Sequence, residues 1–594
     1  MKIVLSNPLI VQVVSAGSRK MGHLAFRCVF LGVCLIGFLI VLARAETGTS
    51  SASLGELARA GAGLFANLSW IQVLLICLLG PLFTGGAITQ QRHAQTLDVL
   101  LTTPMSNAQI VIGSLIGRLS FVLLLALGGL PFFLICRLYG GVTLGQILTS
   151  FGLAAAAALV TGSLAVAIGI LWAGKNSAIL VFYLISLAWL AMAFLEPLTQ
   201  FRPVPGRCEV SWLTGIHPLL ALSATFQGAQ WPRVEELTGY SWPIRYYLAR
   251  PALAFISLSL IGAGGFLGIA SLMLRAAGGG RLITVCIRFG AFFRKVVPRI
   301  GKRGPPASRH PRSVWANSIA WREAVTRAGA GARGRLMRLI VLIAATTSIA
   351  LLGAGLFGWI APVHLDQWLA GTILVEFTGA VLLAGLAAAT AITREKEARG
   401  LDLLIVTGLS TRYYLKGKLR GLAAFLIPLW AAPVGTIWLI TAYQLVFGHI
   451  GFGAAGTRAL VMPVMMAGYL SLACVVGMQV SLRSPNTIRA NLIALALLLG
   501  GGLMLHGCIG PVLIDLPRLQ TFLAPVSPYT LIPLVLAGQG KGIGLASGVR
   551  AGAGSPGMLL SGLAAATGLY LILFWAVYRN LVSNFTLVIR RQMR

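Results

Sequence analysis

Charged side chains that could do chemistry are scarce in this chain, and several concentrate at one point. Of 594 residues only 14 are Asp or Glu, yet three acids fall within TREKEARGLD, residues 393–402, interleaved with Arg394, Lys396 and Arg399. Mixed charges beside an apolar stripe are typical of a protein-docking surface, where charge complementarity decides register and partner choice. The alternative is a solvated loop whose charges only mark one side of the molecule.

No catalytic group of residues can be read from the sequence. GKNS at 174 and GKRG at 301 lack the spacing of a G-x-x-x-x-G-K-[ST] phosphate loop, so we expect no ATPase activity in this chain. The eight cysteines lie mostly in apolar segments and form no C-x-x-C pair. They predict neither a metal site nor a disulfide, and we expect no cofactor in the chain.

Composition decides the class of protein that must position these charges. Hydrophobic residues make up 57% and charged residues 10% of the chain, whereas about a quarter of a soluble domain is charged. Apolar runs of about 20 residues that do not alternate predict membrane-spanning helices. We predict an all-α polytopic membrane protein with about twelve transmembrane helices. The predicted spans are 25–44, 65–88, 115–138, 147–173, 177–195, 252–274, 336–360, 368–392, 421–447, 459–482, 490–510 and 556–578.

Glu376 lies inside the eighth predicted span. An ionisable group is costly in lipid, so it is a candidate functional residue by default. The sequence offers it no obvious cationic partner within the membrane. A role in helix packing, or exposure to water, is the alternative interpretation.

The net charge of +33 is explained by its placement rather than by a nucleic-acid partner. Residues 275–335 hold fourteen Arg or Lys against one acid, Glu323, whereas the loop 196–251 has five Arg against four Glu. Basic segments remain on the cytoplasmic side of membranes. We therefore predict a cell-membrane protein with both termini in the cytoplasm, and a retained anchor at the N-terminus.

An internal repeat divides the chain. The segment that begins ITQQRHAQTLDVLLTTPMS at Ile88 aligns without gaps on ITREKEARGLDLLIVTGLS at Ile392, at a constant offset of 304 residues. We predict a first repeat at 1–280, a basic linker at 281–313 and a second repeat at 314–594. Because each half has an even number of spans, the repeats are parallel.

The repeated segments, 88–106 and 392–410, are amphipathic. Ser106 begins SNAQ, which has the S-x-x-Q form of a capping box, and Ser410 is its equivalent. Each segment is therefore predicted to form a helix, a turn and the start of the next span.

These segments resemble the motif of ABC-2 type transporter permeases, E-R-E-x-G-T-L-E-x-L-L-x-T-P-V-S followed by a Gly. The resemblance rests on Arg92, Thr96, Leu97, Asp98, Thr103, Pro104, Ser106 and Gly113, and on Glu395, Lys396, Glu397, Leu401, Asp402, Thr407, Ser410 and Gly417. It implies six spans per repeat, an elbow helix before the first span, and a coupling segment that docks on a separate ATPase, which holds ATP and Mg. The docking residues it implies are Arg92, Asp98, Glu395, Lys396, Glu397 and Asp402. Gln91 and His93 replace both acids of the motif in the first half, so we expect the two halves to bind their ATPases unequally.

Two further segments are amphipathic. Residues 281–297 predict a basic helix suited to an anionic lipid surface, or a simple extension of the sixth span. Residues 314–327, with Trp315 and Trp321, predict the elbow of the second half, and the segment around Asn7 is its counterpart.

The sequence thus favours the membrane subunit of an ABC exporter, with the fold and partners that the resemblance implies. One alternative is a twelve-span secondary transporter driven by an ion gradient, which would need several buried carboxylates. Another is a membrane scaffold that does not transport. The exported substrate is not indicated by any residue pattern.

Overall fold

The structure is a computed structural model. It describes residues 54–93, 101–138, 140–171, 175–278, 315–328, 332–358, 362–397, 400–401, 409–447, 451–495, 497–498, 501–502, 522–536 and 556–593, with isolated positions between 10 and 35. The first predicted span, the linker 281–313, most of the eleventh span, Asp98 and Asp402 lie outside these residues.

The first half is helical apart from one small sheet. Its helices are α1 (Leu54–His93), α2 (Asn107–Gly128), α3 (Leu130–Leu138), α4 (Leu144–Leu171), α5 (Lys175–Ala191), α6 (Glu196–Thr199), α7 (Pro218–Phe226), α8 (Trp242–Ala249) and α9 (Pro251–Gly278). Strands β1 (Gln200–Phe201) and β2 (Val210–Ser211) pair antiparallel. Short 3-10 turns lie at Met192–Leu195, Gly228–Gln230 and Val234–Glu236.

The second half repeats long helices. They are α10 (Ser318–Ala328), α11 (Ala332–Leu356), α12 (Pro362–Glu397), α13 (Thr411–Val446), α14 (Phe452–Arg483), α15 (Thr487–Leu495), α16 (Pro528–Leu536) and α17 (Pro556–Met593), with a 3-10 turn at Ala524–Val526. We call the side of the molecule where α10 lies the elbow side, and the opposite side the loop side.

The all-α polytopic class is confirmed. Within the described residues, seven helices are long and apolar enough to cross a membrane, and three shorter apolar helices accompany them. Ten of the predicted spans correspond to these helices. The third span is bent, because it consists of α2 and α3 joined at Gly129, just before Pro131. Proline lacks the N–H that a continuous helix needs at this point.

The predicted helix starts after the repeated segments are also confirmed. Ser106 Oγ accepts from the Gln109 N–H at 3.2 Å, and Gln109 Oε1 accepts from the Ser106 N–H at 2.8 Å, which completes the capping box of α2. Ser410 Oγ accepts from the Tyr413 N–H at 3.3 Å at the start of α13. Both caps satisfy N–H groups that the first helical turn leaves without partners.

The two halves pack their helices in the same order. In the first half α4 lies between α1 and α9, and in the second half α14 lies between α12 and α17. The contacts between halves are also paired, because α5 contacts α12 and α15 contacts α1. Small residues allow close approach there: a Cβ on Gly379 of α12 would lie 3.6 Å from Leu187 of α5.

A small folded unit covers the loop side of the first half. The indole N–H of Trp231 donates to the Leu248 carbonyl at 2.8 Å, and it ties the loop to α8. The Arg207 guanidinium donates to Glu236 Oε2 at 3.0 Å. This hydrogen bond raises the pKa of Arg207 and lowers that of Glu236, so both stay charged.

His217 joins this unit to the helices. It precedes Pro218, which favours extended backbone at His217 and begins α7. Its ring is buried, lies 5.9 Å from the Trp189 ring, and makes no side-chain hydrogen bond within the described residues. Burial lowers the pKa of His217 to about 4 from an ordinary value of 6.5.

We expect this histidine to make the protein less stable in acid. Above pH 6.5 the ring is neutral in both the folded and the unfolded chain, and the free energy of unfolding is at its full value. As the pH falls from 6.5 to 4, only the unfolded chain takes up a proton, so the free energy of unfolding decreases. The loss reaches about 3 kcal/mol. The measurement is the apparent Tm of the detergent-solubilised protein between pH 7.5 and 4.5. His217→Gln should show a shallower decline; an identical decline would contradict the assignment.

Candidate functional site

The elbow-side end of α12 is a junction of five helices. Its last residues, Glu395, Lys396 and Glu397, are the charges on which the sequence prediction rests. Each of the three side chains contacts a different part of the second half. The segment therefore connects the predicted coupling region to the helix ends around it, and we call these residues and their partners the charged junction.

Glu395 contacts the start of α13 and the elbow helix α10. Its Oε1 lies 2.8 Å from Lys418 Nζ and also accepts from the Arg322 guanidinium. Its Oε2 accepts from the Tyr414 hydroxyl. A second carboxylate, Glu323 of α10, lies 2.6 Å from the same Lys418 Nζ.

Burial sets the energetics of this group. The Lys418 side chain is 2% exposed, Glu323 8% and Glu395 15%, whereas Arg322 is 58% exposed. A buried ammonium is tolerated only when carboxylates and hydrogen bonds replace its water. Lys418, Glu323 and Glu395 together carry a net charge of −1. The more exposed Arg322, which pairs with Glu395, brings the net charge of the group to zero.

Lys396 holds the end of α14. Its ammonium donates to the carbonyls of Ser481 and Ser484, each at 3.3 Å, and to that of Leu482. Carbonyls in the last turn of a helix lack intrahelical partners, and the helix dipole is negative there. Lys396 therefore caps a neighbouring helix rather than its own.

Glu397 contacts the next helix in the same way, with opposite charge. Its Oε1 accepts from the Thr487 N–H at 2.9 Å, at the first residue of α15. A carboxylate is favourable at a helix N-terminus because the N–H groups there lack partners and the dipole is positive. Lys396 and Glu397 therefore bind the two ends of the turn that joins α14 to α15. The Ser481 hydroxyl also accepts a hydrogen bond from the Thr393 N–H at 3.0 Å.

The elbow helix packs on α13 through glycine. A Cβ on Gly417 would lie 2.6 Å from Asn317 Oδ1, and one on Gly421 would lie 2.5 Å from Glu323 Cβ and 3.0 Å from the Ala320 carbonyl. Asn317 Oδ1 also accepts from the Ala320 N–H at 3.0 Å, in the first turn of α10. Close backbone approach is what brings the Glu323 carboxylate within reach of Lys418.

The structure distributes the sequence-predicted residues unevenly. Glu395, Lys396 and Glu397 come together in the charged junction. Arg92 lies in the last turn of α1, but its side chain, like Asp98 and Asp402, lies outside the described residues. Glu376 is nineteen residues before Glu395 on the same helix, about 28 Å away along its axis. The ATPase-docking role of these residues stays a prediction.

Sequence reasoning missed three members of the junction: Tyr414, Lys418 and Glu323. A signal was present in α13, because Tyr414, Gly417, Lys418 and Gly421 recur at helical spacing and so share one face. That face combines the Lys418 ammonium with two glycines, which have no side chains and allow another helix to approach closely. Glu323 was visible as the one acid in a strongly basic segment, and its isolation was itself a reason to look for a buried partner.

In the sequence of the first half, neutral residues stand at the positions of Glu395 and Lys418. At the offset of 304 residues, Gln91 stands for Glu395 and Ser114 for Lys418. The acid and the base are therefore both absent, as expected if neither charge is tolerated alone in a buried position. Ser114 is buried, and its hydroxyl has no hydrogen-bond partner within the described residues.

The fold and the junction define a polytopic membrane protein whose charged segments follow its second and eighth spans. Comparison with known families agrees: residues 12–268 match the model of the ABC-2 family transporter proteins. The match covers less than half of the chain and supports an ABC-2 type permease. No curated protein matches the chain significantly.

Lys418→Met should destabilise the protein strongly. It leaves the Glu323 and Glu395 carboxylates facing each other without their shared cation, and breaking a buried ion pair in this way costs about 3–5 kcal/mol. The measurement is the apparent Tm in detergent. Arg322→Met is the matched control, because exposed ion pairs contribute about 1 kcal/mol or less. Equal Tm values for the two variants would contradict the assigned burial of Lys418. Adding Glu323→Gln and Glu395→Gln to Lys418→Met should recover part of the loss.

Gly421→Ala should separate the elbow from α13. Its new methyl group overlaps Glu323 Cβ and the α10 backbone, so the helices must move apart and the apparent Tm falls. Gly435→Ala in the same helix is the matched control, because no atom lies within 4 Å of a Cβ there. Alanine favours helix by up to about 1 kcal/mol over glycine. A Gly421→Ala variant as stable as Gly435→Ala would contradict the close packing of the elbow.

Proposed function

We propose that this chain is the membrane subunit of an ABC exporter, and that it forms the transport pathway from two fused permease repeats, 1–280 and 314–594. The observation that carries the proposal is the ABC-2 family match over residues 12–268. The energy comes from ATP hydrolysed, with Mg, on separate ATPase subunits. The orientation predicted from the basic segments places the elbow side, and those subunits, in the cytoplasm.

The repeat of packing supports extending the family from the first half to the second. The pairs α1 with α4 and α4 with α9 have equivalents in α12 with α14 and α14 with α17. On the loop side, α7 contacts α1 and α4, as α16 contacts α12 and α14. The contact of α5 with α12 and that of α15 with α1 exchange under the same correspondence, as expected for parallel repeats related by an axis along the membrane normal.

The charged junction supports a coupling role for residues 392–410. A force applied to this segment reaches α13 and the elbow through Glu395, α14 through Lys396, and α15 through Glu397. Coupling of this kind is a difference in the stability of two conformations. In our proposal, closure of the ATPases on ATP stabilises the conformation in which the pathway between halves opens outward.

For a test of ATPase docking, the structure favours a substitution at Asp402 over one at Glu395. Glu395→Arg would break the junction, so loss of a partner could reflect local unfolding. Asp402→Arg reverses a charge of the same segment and leaves Glu395, Lys396 and Glu397 unchanged. Glu209→Arg, on the loop side and 44% exposed, is the matched control.

The experiment is gentle-detergent purification from the native membrane, with mass spectrometry of the proteins that accompany the chain. We expect an ATPase with a phosphate-loop motif beside the wild type and Glu209→Arg, and at least about tenfold less of it beside Asp402→Arg, because a reversed charge at an interface costs several kcal/mol. Absence of any ATPase, in detergent that preserves known complexes, would contradict the proposal and favour an ion-driven transporter. Equal ATPase recovery with Asp402→Arg would contradict the docking role.

A further inference from the structure

A second polar group lies within the membrane-spanning helices, away from the charged junction. Glu376 of α12 meets Ser348 of α11 and Thr436 of α13. Ser348 Oγ is 3.1 Å from Glu376 Oε1, Thr436 Oγ1 is 3.0 Å from Glu376 Oε2, and the two hydroxyl oxygens are 3.0 Å apart. Ser348 Oγ also lies 3.0 Å from the Ala344 carbonyl.

The two charge states of Glu376 differ in the number of hydrogens they supply to this group. A neutral acid gives three protons, enough for a chain in which Glu376 Oε2–H donates to Thr436, Thr436 to Ser348, and Ser348 to the Ala344 carbonyl, while Ser348 Oγ keeps only a close approach to Glu376 Oε1 at 3.1 Å. Each link is 3.0 Å long. With an ionised carboxylate only the two hydroxyl protons remain. If both point to the carboxylate, the contact between Ser348 and Thr436 has no hydrogen.

Within the part of the chain that the structure describes, no charged side chain is bonded to the Glu376 carboxyl. Ser348 and Thr436 are buried, and the influences on the Glu376 carboxyl are burial and these two hydroxyl groups. Ionisable residues on α12 and the helices packed against it include Asp366 on α12, Arg338 on α11, Arg420 and Tyr443 on α13, Arg458 and Tyr469 on α14, Tyr529 on α16 and Tyr183 on α5.

These ionisable residues do not neutralise Glu376. Arg338 is ten residues from Ser348, and Arg420 is sixteen from Thr436, or about 15 and 24 Å along the helices. Arg458 binds Gln444, and the rings of Tyr469 and Tyr529 pack on Phe377. An ionised Glu376 would be an isolated charge in a membrane interior, which is strongly unfavourable.

The repeat provides an independent indication. At the offset of 304 residues the first half has Gln72 in place of Glu376. Glutamine has the shape of a protonated glutamic acid but cannot ionise. Gln72 is fully buried, and its amide makes no hydrogen bond within the described residues. The fold thus accommodates a neutral group of this shape at the equivalent position.

We propose that Glu376, Ser348 and Thr436 form an intramembrane proton-binding site, in which Glu376 is the neutral acid at the head of a hydroxyl chain. The site lies one helical turn from Gly379, which faces Leu187 across the contact between halves. Separation of the halves would admit water to Glu376 and allow it to release its proton. The inference goes beyond the proposed exporter and depends on none of its partners.

The test uses dicyclohexylcarbodiimide, which modifies protonated carboxyl groups in apolar surroundings. The intact chain in detergent at pH 7 is treated, and adducts are measured by mass spectrometry. The internal control is Glu209, which is water-exposed. Since an ordinary glutamate is less than about 1% protonated at pH 7, we expect Glu376 to carry at least about tenfold more adduct. Glu376→Gln should lose that adduct and keep an apparent Tm close to wild type, because it preserves a neutral side chain.

Three results would overturn the proposal. The first is labelling of Glu376 no greater than that of Glu209. The second is a Glu376→Gln variant that unfolds well below wild type and below Thr436→Val, because it would mean that a negative charge is required. Labelling suppressed by Na⁺, but not by an equal concentration of choline, would assign the site to a metal cation instead of a proton. Each result can be read whether or not an ATPase binds the chain.

Discussion

The burial of Lys418 is the constraint on which the elbow side of the second half depends. An ammonium group that is almost fully removed from water requires anionic partners, and here two different elements provide them: Glu323 from the elbow helix and Glu395 from the end of α12. Because both carboxylates bind the same buried ammonium, α10, α12 and α13 are held together. Gly417 and Gly421 make the arrangement geometrically possible by letting the backbones approach.

The same segment extends this linkage by a different physical interaction. Lys396 and Glu397 bind helix termini, where backbone groups lack partners and the dipoles favour these charges. Three consecutive residues therefore combine an ion-pair network with two helix caps. At the equivalent positions the first half has the neutral residues Gln91 and Ser114, so the sequence of the first half lacks the acid and the base of this ion-pair network.

Glu376 is a carboxyl group within the membrane-spanning helices that has no cation bonded to it among the described residues. At the junction, Lys418 and Arg322 balance Glu323 and Glu395, whereas the partners of Glu376 among the described residues are the hydroxyl groups of Ser348 and Thr436. Hydroxyl groups supply hydrogen bonds but no charge, so neutrality has to come from a proton. The contrast shows why two glutamates on one helix, Glu376 and Glu395, have different chemistry although their sequence surroundings are similarly apolar on one side.

The sequence by itself determined the class, the approximate spans, the repeat and the caps at Ser106 and Ser410, because hydropathy and capping are local properties read over a few helical turns. It also located the charged segment at 393–402. Only the tertiary structure decided which groups these charges bind. Glu395 binds Lys418, 23 residues later in the chain, and Lys396 binds carbonyls more than 80 residues away. Such contacts depend on how helices pack against one another. A charge pattern along one helix therefore indicates that partners are needed, but it does not identify them.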